Sequence, residues 1–204
     1  MLPFNGLEAF GEDSDARFDS LLPDGLRKTV SSLHWTPVQV ARRAAELLVT
    51  TPHSRILDVG SGVGKFCVVG ALSTAGRFYG IEQRAHLTDV ASQIAKKLGV
   101  ANRTEFMSED LRKLDWSLFD GFYLYNPFIE NLYPAGNRID AQSEFSAKNY
   151  VELIQWVQQR LHTLPLQTRI VTYHGFGGEM PPGYKLMHEE PADVDFIRLW
   201  VKVC

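Results

Sequence analysis

The run ILDVGSGVGKF, Ile56 to Phe66, constrains this chain more than any other stretch. Apolar residues lead into glycines at Gly60, Gly62 and Gly64 and then into a helical pattern, so a strand must end, turn tightly and feed a helix within a few residues. Such a turn brings backbone N–H groups close to a ligand, and a phosphate, a dinucleotide or another nucleoside cofactor can sit there. Spacing weighs between them. A phosphate loop needs a glycine five residues before Gly64-Lys65 and a hydroxyl residue after the lysine, but those positions are Val59 and Phe66. A dinucleotide fingerprint needs G-x-G-x-x-G, whereas here the glycines run G-x-G-x-G and Lys65 takes the third glycine's place.

The rest of the chain repeats the strand-then-helix rhythm. Helical periodicity runs from Pro37 to Val49, with Thr36-Pro37 expected to supply an N-cap and a proline at the first helical position. Strands are expected at Ser54–Val59, Gly76–Glu82, Thr104–Met107, Gly121–Tyr125 and Arg169–Tyr173, with helices through Val68–Leu72, Thr88–Leu98 and Ala147–Leu161. Alternation with short loops predicts an α/β fold, a doubly wound and mostly parallel sheet with helices on both faces. Tyr184–Glu189 and Val194–Val203 break the rhythm and predict an antiparallel hairpin on the sheet edge. Residues 1–35, rich in Asp, Gly and Pro, read as an N-terminal segment that folds over the mouth of the sheet as a lid; residues 36–204 form the main domain.

Composition excludes more than it identifies. At 204 residues, 45% hydrophobic and 22% charged, the chain is expected to form one soluble domain with a sizeable core. A formal charge of −3 argues against gripping nucleic acid by charge alone, so nucleic acid is a possible partner that charge does not indicate. The pairs Arg42-Arg43, Lys96-Lys97 and Arg112-Lys113 are scattered and read as solvated helix faces. Cys67 and Cys204 form no spaced framework, and neither a metal site nor a disulfide is expected. The N-terminus has no basic segment followed by an apolar run, and no stretch reaches about 18 apolar residues, so a cytoplasmic protein without a membrane span is expected.

A strand ending in Asp58, the turn Gly60-Ser61-Gly62-Val63-Gly64, and Glu82 at the end of the next strand together resemble the first motif of the class I S-adenosylmethionine-dependent methyltransferases. The resemblance implies S-adenosylmethionine as cofactor. It makes Glu82 the acceptor of both ribose hydroxyls and the glycine turn the place where the nucleoside approaches the backbone. Asp58 is a suitable partner for the cofactor's ammonium. Asp110, in MSEDL after the third strand, matches the acid that accepts the adenine amine, although an Asp at a loop start is also a common helix cap. Thr36, in His34-Trp35-Thr36-Pro37, resembles the Thr-Pro element of amino-methylating DNA methyltransferases and would meet the cofactor's carboxylate.

The acceptor side carries a second resemblance. Tyr125-Asn126-Pro127-Phe128 is similar to the [Asn/Asp/Ser]-Pro-Pro-[Tyr/Phe/Trp] motif of enzymes that methylate amino groups on planar systems, with one proline missing. It implies that Asn126 holds the target amine beside the cofactor and that Phe128 stacks on the acceptor. Trp35, Tyr125 or Phe128 would face the sulfonium. The stretches Glu130–Glu144 and His174–Gly178 follow strand ends and are expected to shape the substrate pocket. His174 is the one histidine of six at such a position, where a histidine more often closes a structural bond than acts as a base. The expectation is transfer of methyl to a nitrogen of a nucleic-acid base, a protein side chain or a small molecule, with the acceptor unidentified. Two other readings share the architecture: a non-catalytic cofactor-binding module, and a nicotinamide oxidoreductase.

Overall fold

The structure, a computed structural model, describes residues 14–30, 36–139 and 145–204. Two short helices, α1 (Ser14–Asp19) and α2 (Asp24–Val30), precede α3 (Val38–Leu48). The chain then alternates through β1 (Arg55–Val59), α4 (Lys65–Ser73), β2 (Arg77–Glu82), α5 (Ala85–Lys97), β3 (Thr104–Ser108), β4 (Gly121–Leu124), α6 (Ala147–Thr163) and β5 (Arg169–Thr172). It closes with β6 (Tyr184–Ala192) and β7 (Asp195–Lys202).

The seven strands stand in the order β3-β2-β1-β4-β5-β7-β6. Strands β1 to β5 pair in parallel, β7 runs antiparallel to β5, and β6 runs antiparallel to β7. The doubly wound sheet with its antiparallel hairpin is therefore as expected, and β7 rather than β6 is the strand that meets β5. Strand order reverses between β1 and β4, which opens a crevice at the strands' C-terminal ends.

Period-two alternation divides the apolar side chains between two cores, one on each face of the sheet. Ile56, Phe78, Tyr123 and Val171 pack on one face with residues of α3, α4 and α5, among them Ala41, Phe66 and Leu87. Leu57, Ile81, Phe122 and Ile170 pack on the other with Ile154, Val157 and Leu161 of α6, and with Trp116, which stacks on Phe122 at 4.9 Å. Truncating a fully buried ring such as Phe122 would cost about 3 to 5 kcal/mol. The N-terminal helices contribute too, since Phe18 and Leu22 lie buried in the first core. Among the described residues no helix is long and apolar enough to cross a membrane.

Several helix ends differ from expectation for local reasons. Thr36 does not cap α3: Pro37 takes the cap position, the Thr36 hydroxyl pairs with the Tyr123 hydroxyl at 3.0 Å, and the Val38 N–H donates instead to Asp15 Oδ1 at 3.0 Å. Helix α4 starts at Lys65, three residues earlier than expected, because Gly64 in the left-handed region (φ 73°) turns the chain straight into it. Helix α5 likewise begins at Ala85, not Thr88. Helix α6 is capped by Ser146, whose Oγ accepts from the Asn149 N–H at 3.1 Å, and it runs two residues past Leu161 before Leu164-Pro165 ends it.

Candidate functional site

The glycine turn is built by contacts that leave no room for larger residues. Gly60 and Ser61 both donate from their N–H groups to the Ile81 carbonyl at 3.0 Å, which fastens the turn to the end of β2. Gly60 adopts φ 75°, and a Cβ there would stand 3.1 Å from that of Pro127. The Asn126-Pro127-Phe128 turn thus rests on the glycine turn. Its own conformation is unusual, because Asn126 sits at φ 38° and donates its N–H to the Gly175 carbonyl at 2.8 Å. Asparagine tolerates that left-handed region better than most residues.

Two adjoining cavities open around these turns. The larger, about 280 Å³, is lined by Thr36, Asp58, Gly60, Ser61, Gly62, Tyr123, Tyr125, Asn126 and His174. The smaller, about 100 Å³, is lined by Glu82, Asp110, Leu111, Pro127 and Phe128. Gly60, Arg84, Pro127 and Glu130 border both. Gly64 lies behind the turn: a Cβ there would meet the Phe106 ring at 2.5 Å.

Charge is unevenly distributed over the site. Asp58 is 5% exposed, and among the described residues its side chain has one polar contact, the Cys67 thiol at 3.8 Å. Burial, with the nearby Glu82 charge adding to it, pushes the Asp58 carboxyl up to about 8. Glu82, in contrast, is fully engaged. It accepts from the Gly62 N–H at 3.2 Å, from the Arg84 N–H at 3.1 Å, and from Arg84 Nε at 2.9 Å. Arg84 reaches on to Glu130 at 2.9 Å, so a buried Glu82–Arg84–Glu130 chain separates the cavities. Lys65, buried at the start of α4, is held by Asp15 at 2.5 Å. The cavity's two cations are thus already paired with carboxylates.

Asp110 plays the capping part. Its Oδ1 accepts from the Arg112 N–H at 2.9 Å, and its carboxylate pairs with the Arg112 guanidinium, which holds it below the usual carboxylate range. It still lines the smaller cavity. Phe128 does not stand with Asn126: it is 5% exposed, belongs to the second core, and borders the smaller cavity only. The aromatic residues lining Asn126's side are Phe66, Tyr123, Tyr125 and Tyr133. Burial pushes the Tyr125 phenol up to about 12. Trp35 and residues 140–144 lie outside the described residues.

Sequence reasoning missed Arg84, Glu130, Lys65 and Asp195. Arg84 stands two residues after Glu82, a spacing that was the available signal for that pair, whereas Glu130 meets Arg84 from 46 residues away and carried none. His174 Nδ1 lies 2.8 Å from Asp195 Oδ2, a contact that arises from the hairpin's fold and has no local sequence sign. The donor set fits a nucleoside cofactor bearing an ammonium. Ser61 Oγ and Asn126 Oδ1 are buried without a hydrogen-bond partner among the described residues, and Asp58 is a buried acid with no cation beside it.

A structure of an RNA methyltransferase from Salinibacter ruber in complex with S-adenosyl-L-homocysteine superposes with a TM-score of 0.62, at 22% identity, over 83% of this chain and 94% of that one. TrmN from Thermus thermophilus superposes at 0.55, with 19% identity, over 81% of this chain and 48% of that one. The 23S rRNA (uracil(1939)-C(5))-methyltransferase RlmD of Bordetella pertussis is 33% identical over 111 residues, which is 51% of this chain and 23% of that protein. The chain thus spans about a quarter of its curated relatives' length. The family model for protein-L-isoaspartate(D-aspartate) O-methyltransferase (PCMT) matches residues 10–125, more than half of the chain. With S-adenosylmethionine as its cofactor, this chain belongs to the PCMT family of methyltransferases.

Proposed function

We propose that this chain transfers methyl from S-adenosylmethionine to a nitrogen of an RNA base. One observation carries the reading: Asn126 Oδ1, a buried acceptor, stands without a partner beside the larger cavity, where an N–H donor would complete it. Such a donor is what an exocyclic amine or a ring N–H presents, and Tyr125 and Tyr133 offer faces for a planar ring. The Bordetella and Salinibacter proteins are named as rRNA and RNA methyltransferases, which supports choosing a nucleic-acid base over other planar amines.

The family description favours a second acceptor, the carboxylate of an isoaspartyl residue. The site's charges speak against it. Lys65 and Arg84 are tied to Asp15, Glu82 and Glu130, while Asp58 and Glu130 line the same cavity, so an incoming carboxylate would find acids rather than a free cation.

The remaining roles follow from chemistry and placement. Asp58 would take the cofactor's ammonium, and Thr36 its carboxylate. Glu82 would exchange part of its bonding with Arg84 for the ribose hydroxyls, while Gly60, Ser61, Gly62 and Gly64 shape the turn beneath them. Asp110, Leu111 and Phe128 would border the adenine. The cofactor supplies an activated methyl group and its own leaving group, so this chain's task is to orient the acceptor and keep water out. Residues 14–22, whose Asp15 bonds to Lys65 and Val38, would act as the cover of the cofactor site.

Incubation with methyl-labelled S-adenosylmethionine, unmodified RNA transcripts and cellular protein tests the reading. Label released by nuclease as an N-methylated nucleoside is expected. Label that follows the protein and is lost in mild base, as a carboxyl methyl ester would be, would overturn it.

A further inference from the structure

His174 ends the β5 arm of the site in a strained conformation, φ 56°, just before Gly175, whose carbonyl fixes the Asn126 N–H at 2.8 Å. Histidine, like asparagine, enters the left-handed region more readily than most side chains, and Gly175 beside it at φ 66° continues the same turn. The turn leaves His174 lining the larger cavity. There His174 Nδ1 lies 2.8 Å from Asp195 Oδ2, across the hairpin at the start of β7. Asp195 is anchored in turn, with Oδ1 accepting from the Phe196 N–H at 2.7 Å and Arg198 standing 3.7 Å behind it. The rings of Tyr173 and Tyr125 lie 4.4 and 5.6 Å from the imidazole.

From this geometry we infer that His174 and Asp195 form a general-base dyad that removes the proton from the methyl acceptor. The inference rests on the nitrogen-acceptor reading above. Asp195 orients the ring and fixes the neutral tautomer with the proton on Nδ1, which leaves Nε2 as the basic nitrogen of a residue that lines the acceptor cavity. As the acceptor nitrogen bonds to the methyl carbon, the methyl–sulfur bond breaks with its electron pair going to sulfur. The N–H proton passes to Nε2, and the imidazolium, paired with Asp195, later loses it to water. The other groups facing the ring do not compete. The phenols of Tyr125 and Tyr173 are held protonated by burial, Asp193 near Tyr173 adds negative charge, and Arg198 pairs with the carboxylates.

A carboxylate acceptor brings no proton and needs no such base, so the dyad also separates acceptor classes. Two measurements decide it. Nitrogen-15 NMR of the free protein reads the tautomer without any substrate: an Nδ1–H tautomer at high pH, scrambled in Asp195→Asn, is expected, and an Nε2–H tautomer in the wild type would overturn the dyad. His174→Gly suits the positive φ and leaves a hole for free imidazole. Its turnover on whichever acceptor takes the label should fall at least a hundredfold, with S-adenosylhomocysteine affinity within twofold of wild type, and added imidazole should restore at least tenfold. Wild-type turnover, or a loss that imidazole leaves untouched, would overturn the assignment. Nitrogen methylation of protein instead of RNA would sink the RNA reading alone, whereas label in base-labile esters would sink both.

Discussion

Replacing Asp58 by Asn should move stability and cofactor affinity in opposite directions. The Asp58 carboxyl is pushed up to about 8 in the folded chain, chiefly by burial, whereas an unfolded Asp ionises near 3.9. The folded state therefore holds the proton more tightly, so this residue's contribution is most favourable below about pH 4 and is lost as pH rises towards about 8. Between the unfolded value and pH 7 the part of the shift already lost corresponds to about 4 kcal/mol, and relaxation around a buried charge reduces it to about 2. Asn copies the shape of the protonated acid and cannot ionise. Asp58→Asn should thus raise the melting temperature of the cofactor-free protein at pH 7 by about 4 to 8 °C, with the gain growing from pH 5 to pH 8. The same variant should bind S-adenosylhomocysteine at least tenfold more weakly, because the ammonium loses its charged partner. Scanning calorimetry across pH and titration calorimetry at pH 7 supply both numbers. A melting temperature that falls, or a difference that does not vary with pH, would refute the argument that Asp58 is a buried, unpaired acid.

Other perturbations probe separate parts of the site. Glu82→Ala should cost at least tenfold in S-adenosylhomocysteine affinity by calorimetry, since it removes the acceptor expected for the ribose hydroxyls and frees Arg84. Gly64→Ala should lower stability by about 2 to 4 kcal/mol in denaturant titration, from a side chain forced to φ 73° against the Phe106 ring. Phe128→Ala should weaken cofactor binding more than it raises the acceptor's KM, and Tyr125→Ala should do the reverse, because the two rings border different cavities. Hydrogen exchange of residues 14–22 should slow when S-adenosylhomocysteine binds, as expected of a cover tied through Asp15; equal exchange would remove that role.

The sheet was legible because each element carries its own period. The glycine turn could be read because backbone geometry alone demands Gly60 and Gly64 there. Thr36 shows the limit. Its sequence context fits a helix cap, yet Tyr123, 87 residues away, takes its hydroxyl and Asp15 caps the helix instead. Phe128 is a similar case. The motif it resembles has one more residue, and with Pro127 packed against Gly60 the ring enters the second core. Charge pairing was least visible, since Arg84–Glu130 and His174–Asp195 depend on loops that meet only in the fold. Asp110 kept both readings, a cap that also borders a cavity.

Transfer to nitrogen beside Asn126 is the central claim, and one comparison tests it directly. Unmodified RNA is incubated with methyl-labelled S-adenosylmethionine and either the wild-type chain or Asn126→Ala, then digested to nucleosides and resolved by mass spectrometry. The account predicts an N-methylated nucleoside in the wild type, formed about a hundredfold more slowly by Asn126→Ala, with S-adenosylhomocysteine affinity nearly unchanged. A carbon-methylated nucleoside, or equal rates in the two proteins, would contradict it.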